Sequence, residues 1–169
     1  MVELIEWQKS LVVQKDPRQG SIAAGFEWMI KFNNITGVNL ETFQNDFNLK
    51  AGEGGNNFQT VSEAVKEKYP HINIKHQSFK HDKAMDKVKL VKKLVSENVP
   101  SMLSLTLSSK KSISHEMPVT FYDENYIRFV WRVGDKNNPD MLRIGYDDIL
   151  IRHRDWDGGK EVAWLEPLS

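Results

Sequence analysis

The chain has 169 residues, enough for one domain with a single sizeable core. Its 23 Lys and Arg balance 23 Asp and Glu, so composition gives no electrostatic reason to expect nucleic acid or an anionic membrane as partner. It has no cysteine, which excludes disulfides, thiolate-ligated zinc and a cysteine nucleophile, and no apolar run approaches the roughly 18 residues of a membrane span.

The opening MVELIEWQKSL is acidic and lacks the basic and long apolar parts of a signal peptide, so the expected location is the cytoplasm. Residues 11–13 are a short apolar run, read as a strand or an extended lead-in. KDPRQG is a turn: Pro17 fixes φ, and Asp16 and Gly20 are turn residues. Ser21 then has N-cap chemistry, and Ile22, Phe26, Met29 and Ile30 recur on one helical face, which predicts a helix over 21–33. NLETFQNDFNL predicts a shorter helix. KAGEGGNNFQ is a glycine-rich loop without the lysine and hydroxyl of a phosphate-binding loop.

TVSEAVKEKYP predicts a helix, with Thr60 as cap, Glu63 completing a capping box and Pro70 beyond the end. INIKHQSF alternates like a strand. DKVKLVKKLVSENV is amphipathic, with Val88, Leu90, Val91, Leu94 and Val95 inward and its lysines expected in water rather than on nucleic acid. Strands follow. SMLSLTLS alternates, and EMPVTFYD and YIRFVWRV flank a hairpin turn. MLRIGYDDILIRHRDW mixes a strand with a helical turn or second strand, and GGKEVAWLEP offers a last strand. Helices precede antiparallel strands, so the expected fold is α+β in one domain over residues 1–169. His71, His76 and His81 are spaced by five, which suits neither a helix nor a strand face. HRDWDGGKE reads as a solvated loop. Neither predicts a metal site.

Three features converge on acyl-transfer chemistry. Ser21 begins a helix, where unpaired N–H groups and the positive dipole end stabilise an anion. Gln14 precedes it across the turn and offers a side-chain amide to an oxyanion. His115 stands at the mouth of a strand, where an imidazole can serve as general base.

VVQKDPRQGSIAAGFEWMIKF resembles the nucleophile segment of papain-like cysteine peptidases, in particular the bacteriocin-processing, double-glycine branch. SHEMPVTFYDENYIRFV resembles that branch's histidine motif, and the element order matches over residues 14–133. The resemblance implies a papain-like fold with a helical part and an antiparallel sheet, a cleft for an extended peptide or protein segment, and no cofactor. It implies Ser21 at the nucleophile position, His115 as base and Gln14, or Gln19 in competition, as oxyanion donor. In a competing register Gly25 would stand at the nucleophile.

The departures are chemical. Ser21 stands where the family has cysteine, and Ile22 where it has glycine. Near the end of the return strand, where an Asp or Asn would orient the histidine, the chain has Phe129, Val130, Trp131 and Arg132; Asp135 and Asn137 are the nearest candidates. A serine hydroxyl is far less acidic than a thiol and needs a well-oriented base. The expected function is therefore a degenerate peptidase homologue that binds a peptide without efficient cleavage. The alternatives are an active hydrolase, through Ser21 and His115 or through a native cysteine at position 21, and an interaction domain unrelated to peptidases.

Overall fold

A computed structural model describes residues 1–50, 55–108, 113–156 and 158–168. Part of the glycine-rich loop, and Asp157 within HRDWDGGKE, lie outside the described residues. In chain order the elements are β1 (Val2–Glu3), a 3-10 turn (Trp7–Ser10), α1 (Ser21–Phe32), α2 (Phe43–Phe47), α3 (Phe58–Lys68), β2 (Lys75–Ser78) and α4 (Ala84–Ser96). Then come β3 (Ser101–Ser108), β4 (Ile113–Tyr122), β5 (Tyr126–Arg132), β6 (Asp140–Gly145), α5 (Tyr146–Asp155) and β7 (Glu161–Trp164). Residues 11–13 are irregular backbone rather than a strand. The helical turn expected after β6 is a full helix, α5.

The strands form one sheet in the order β2-β7-β3-β4-β5-β6, with β1 paired to the outer end of β4, and every pairing is antiparallel. One apolar cluster joins α1, α2 and α3 to one face of the sheet through Phe26, Phe43, Phe58, Met102 and Val130. A second joins α4 and α5 to the other face through Val91, Leu94, Leu105, Met117, Phe129 and Ile149. The architecture is therefore α+β, a sheet covered on both faces. Gly25 lets α1 settle closely on β3: a Cβ there would lie 2.2 Å from the Met102 sulfur.

β4 changes partners along its length. Residues 113–118 pair with β3, whereas pairing to β5 begins at Val119↔Phe129. Pro118, which has no N–H to give to a ladder, marks the change. On its N-terminal side β4 is no longer paired with β5, and β5 shifts register against β6 at Trp131. This opening in the sheet faces the start of α1.

Candidate active site

Gly20 is the N-cap of α1, and Ser21 is the first residue of the helix proper. Ser21 thus does not cap the helix. Its hydroxyl turns outward, to the carboxylate of Glu116 on β4, with Oγ donating to Oε2 at 3.5 Å. The approach to Ser21 is held by side chains beyond α1. Gln44 on α2 donates to the Val13 carbonyl at 2.8 Å and accepts from the Lys15 N–H at 2.9 Å. It also donates to Glu27 Oε1 at 3.3 Å, and burial raises the pKa of that carboxyl. Asn48 donates to Asp16 Oδ2 at 2.8 Å, and Asp16 Oδ1 accepts from the N–H groups of Arg18 and Gln19. The Asn48 bond is the largest reason the Asp16 pKa falls below its ordinary value. Asn56 ties Asn48 to the Gln19 carbonyl.

Glu116 is the charged group at the centre. Burial pushes its pKa up to about 6, against hydrogen bonds from its own backbone and from Ser21 that favour the carboxylate. Two cavities meet at Ser21 and Glu116. One is an apolar slot of about 30 Å³ walled by Leu11, Trp28, Pro118 and Val130, room for roughly one water. The other is a polar groove bordered by Arg18, Asn56 and Ser114.

Neighbouring residues of a strand point to opposite faces, so Glu116 turns to α1 while the His115 ring packs on Trp131, with His115 still bordering the polar groove beside Ser21 and Glu116. The His115 ring lies 4.8 Å from the Trp131 ring, and its Nε2 is 2.9 Å from the Trp131 carbonyl. A carbonyl only accepts, so Nε2 carries the proton. The imidazole thereby satisfies a backbone carbonyl where β4 and β5 have parted. Burial lowers the His115 pKa.

Gln14 lines the apolar slot, but its side-chain amide donates to the Asp16 carbonyl at 2.8 Å, and its backbone N–H donates to the Val133 carbonyl at 3.0 Å. Gln19 is exposed on the turn. Asp135 is exposed and accepts from the Asn137 N–H at 2.9 Å, in a turn after β5. The structure therefore brings Ser21, Gln14 and Glu116 to the apolar slot, and Ser21, Gln19, His115 and Glu116 to the polar groove. Among the described residues it forms no hydrogen bond between Ser21 and His115, or between Asp135 and His115. No group of three metal-ligating side chains assembles among the described residues, and no described helix is long and apolar enough to cross a membrane.

The sequence reading missed Glu116. Its only signal was alternation: with Met117 and Val119 marking the buried phase of β4, Glu116 had to lie on the α1 face. The reading also missed the polar clamp of Gln44, Asn48 and Asn56, which is made by tertiary contact.

No protein-family profile matches the chain. No curated protein matches it either. Among solved structures it is similar to the peptidase domain of Streptococcus ComA, a bifunctional ABC transporter involved in a quorum-sensing pathway. The TM-score is 0.53 with 14% identity, over 92% of this chain and 97% of that one. At that identity the likeness speaks for the fold alone: this chain has the papain-like mixture of helices and antiparallel sheet that the peptidase domain has.

Proposed function

We propose that the chain is a degenerate papain-like cysteine peptidase homologue that binds an extended peptide or protein segment in its cleft, in the cytoplasm, with little or no hydrolysis. The observation that carries this is the pairing at the helix start: Ser21 meets a carboxylate, Glu116, where thiol chemistry needs a cationic or neutral imidazole. A carboxylate destabilises a neighbouring anion. The Gln14 amide is turned to the Asp16 carbonyl, and the Nε2 proton of His115 is committed to Trp131. The polar groove supplies a surface on which an extended chain can lie, and the one-water apolar slot adjoins it at Ser21.

The test is a peptide library offered to the purified chain, read twice, by capture and by mass spectrometry of the supernatant. Capture without cleavage is expected, with capture lost in Ser21→Phe, which fills the junction of the two cavities. Sustained turnover that disappears in Ser21→Ala overturns the reading.

A further inference from the structure

The hydroxyl and carboxylate at the meeting point of the two cavities have a chemistry of their own. We propose that Ser21 and Glu116 form an acyl-accepting pair, in which Ser21 Oγ takes the acyl group of an activated ester and Glu116 takes the hydroxyl proton. The proposal rests on the same cleft as the reading above, but not on peptide binding.

The geometry supplies three parts of such a site. Ser21 opens a helix of twelve residues whose N-cap, Gly20, has no side chain to claim the first-turn N–H groups. Those donors lie beside Ser21, where an oxyanion would form. Oε2 of Glu116 stands 3.5 Å from Ser21 Oγ as the acceptor for its hydroxyl. Among the described residues Glu116 has no ion pair with Lys, Arg or His, and Glu161 nearby adds to its negative surroundings. Burial makes Glu116 a stronger base than a solvated carboxylate, in line with its raised pKa.

The step balances. The Oγ–C bond forms as the C–O bond to the leaving group breaks. The Oγ proton passes to Glu116 Oε2, and an aryloxide departs with the bonding electrons and needs no proton. An amide nitrogen would need one delivered as it left. That difference separates acceptance of an activated ester from peptide hydrolysis.

The experiment uses 4-nitrophenyl acetate on the whole chain, with intact mass and peptide mapping. The expected result is one acetyl group on Ser21, absent in Ser21→Ala and formed about 100-fold more slowly in the isosteric Glu116→Gln. The labelling rate of the unaltered chain rises with pH through the region near 6 where Glu116 ionises. Thermal unfolding of each variant reports whether it is folded. If Glu116→Gln is not, the pH profile decides, and a flat profile through that region overturns the pair. So does the absence of acetyl-Ser21, or a loss caused by His115→Ala in place of Glu116→Gln. Labelling of Ser21 by a chain that captures no peptide removes the peptide-binding reading and leaves the pair standing; capture without labelling does the reverse.

Discussion

Ser21 is the residue at which the two readings of the cleft differ most in sign. Because the chain has no cysteine, Ser21→Cys introduces its single thiol. Beside an imidazole at a helix start that thiol would ionise well below the free value of about 8.5. Beside the Glu116 carboxylate it is expected to ionise at or above that value, and Glu116→Gln should bring it down. Alkylation rate against pH, with iodoacetamide, checks both. His115 has a different consequence. His115→Ala strands the Trp131 carbonyl in a buried gap, so we expect a loss of about 1–2 kcal/mol in urea unfolding. Lys87 is the third such residue. It is fully buried, and its Nζ donates to the carbonyls of Ser104 at 2.7 Å and Gly159 at 2.6 Å and lies 3.4 Å from His153 Nδ1. Lys87→Met keeps the stem and orphans both carbonyls, an expected cost of about 2–3 kcal/mol by the same measurement.

Elements were legible where one rule governed them. The apolar spacing of α1 and the alternation of β3 are read directly from the sequence, although both are covered on more than one side: Ile22 to Ile30 are all buried, and β3 sends Met102 to one cluster and Leu103 and Leu105 to the other. The start of α3 was not: Asn57 accepts from the Thr60 N–H at 2.8 Å, so the helix begins earlier than a cap at Thr60 predicted. Both residues have cap chemistry, and the spacing alone does not choose between them. α4 shows the opposite failure. Its lysines were expected in water, yet Lys87 occupies a core position because β3 and the turn before β7 bring carbonyl oxygens to meet it. Gly25 gives an element-scale prediction. Gly25→Ala would favour the α1 helix by propensity, but the Met102 sulfur stands where the methyl must go. A net destabilisation of about 1–3 kcal/mol is expected, measured by thermal unfolding, and Met102→Ala in the same chain should relieve part of it.

At the scale of the whole molecule, the buried titrating groups shape stability against pH. His153 is buried and lowered to about 4 from 6.5, chiefly by burial, so it binds fewer protons folded than unfolded. Its contribution is present above pH 6.5 and lost as pH falls toward 4. Glu116, raised to about 6 from 4.5, acts in the other direction and loses stability as pH rises between those values. Lys87 is lowered to about 7 from 10.5 by burial and the nearby Lys160, so stability should rise as pH goes from 7 toward 10.5. The melting temperature is expected to climb on that alkaline side, and Lys87→Met should flatten it. The fold class was legible because helices precede strands in the chain, a property of order. Of the residues that line the cleft, the sequence named Ser21, Gln14, Gln19 and His115 but not Glu116. The cleft's centre depends on which of two adjacent strand residues faces α1, and a motif match centred on His115 does not carry that phase.

The place of β7 has a consequence for how the chain is made. This strand is late in sequence yet lies inside the sheet, between β2 and β3. Until residues 161–164 leave the ribosome, β2 has no neighbour and β3 has only one. β2 itself is polar and exposed throughout, with nothing apolar to hold it in place while it waits. Its four-residue strand joins the sheet across a sequence separation of more than eighty residues, as in the pairing of Ser78 with Glu161. Such a contact forms late and slowly. The helical half and β3 to β6 can assemble during synthesis, while the pocket that Glu116 shares with Ser104 and Glu161 is completed only when translation has passed it.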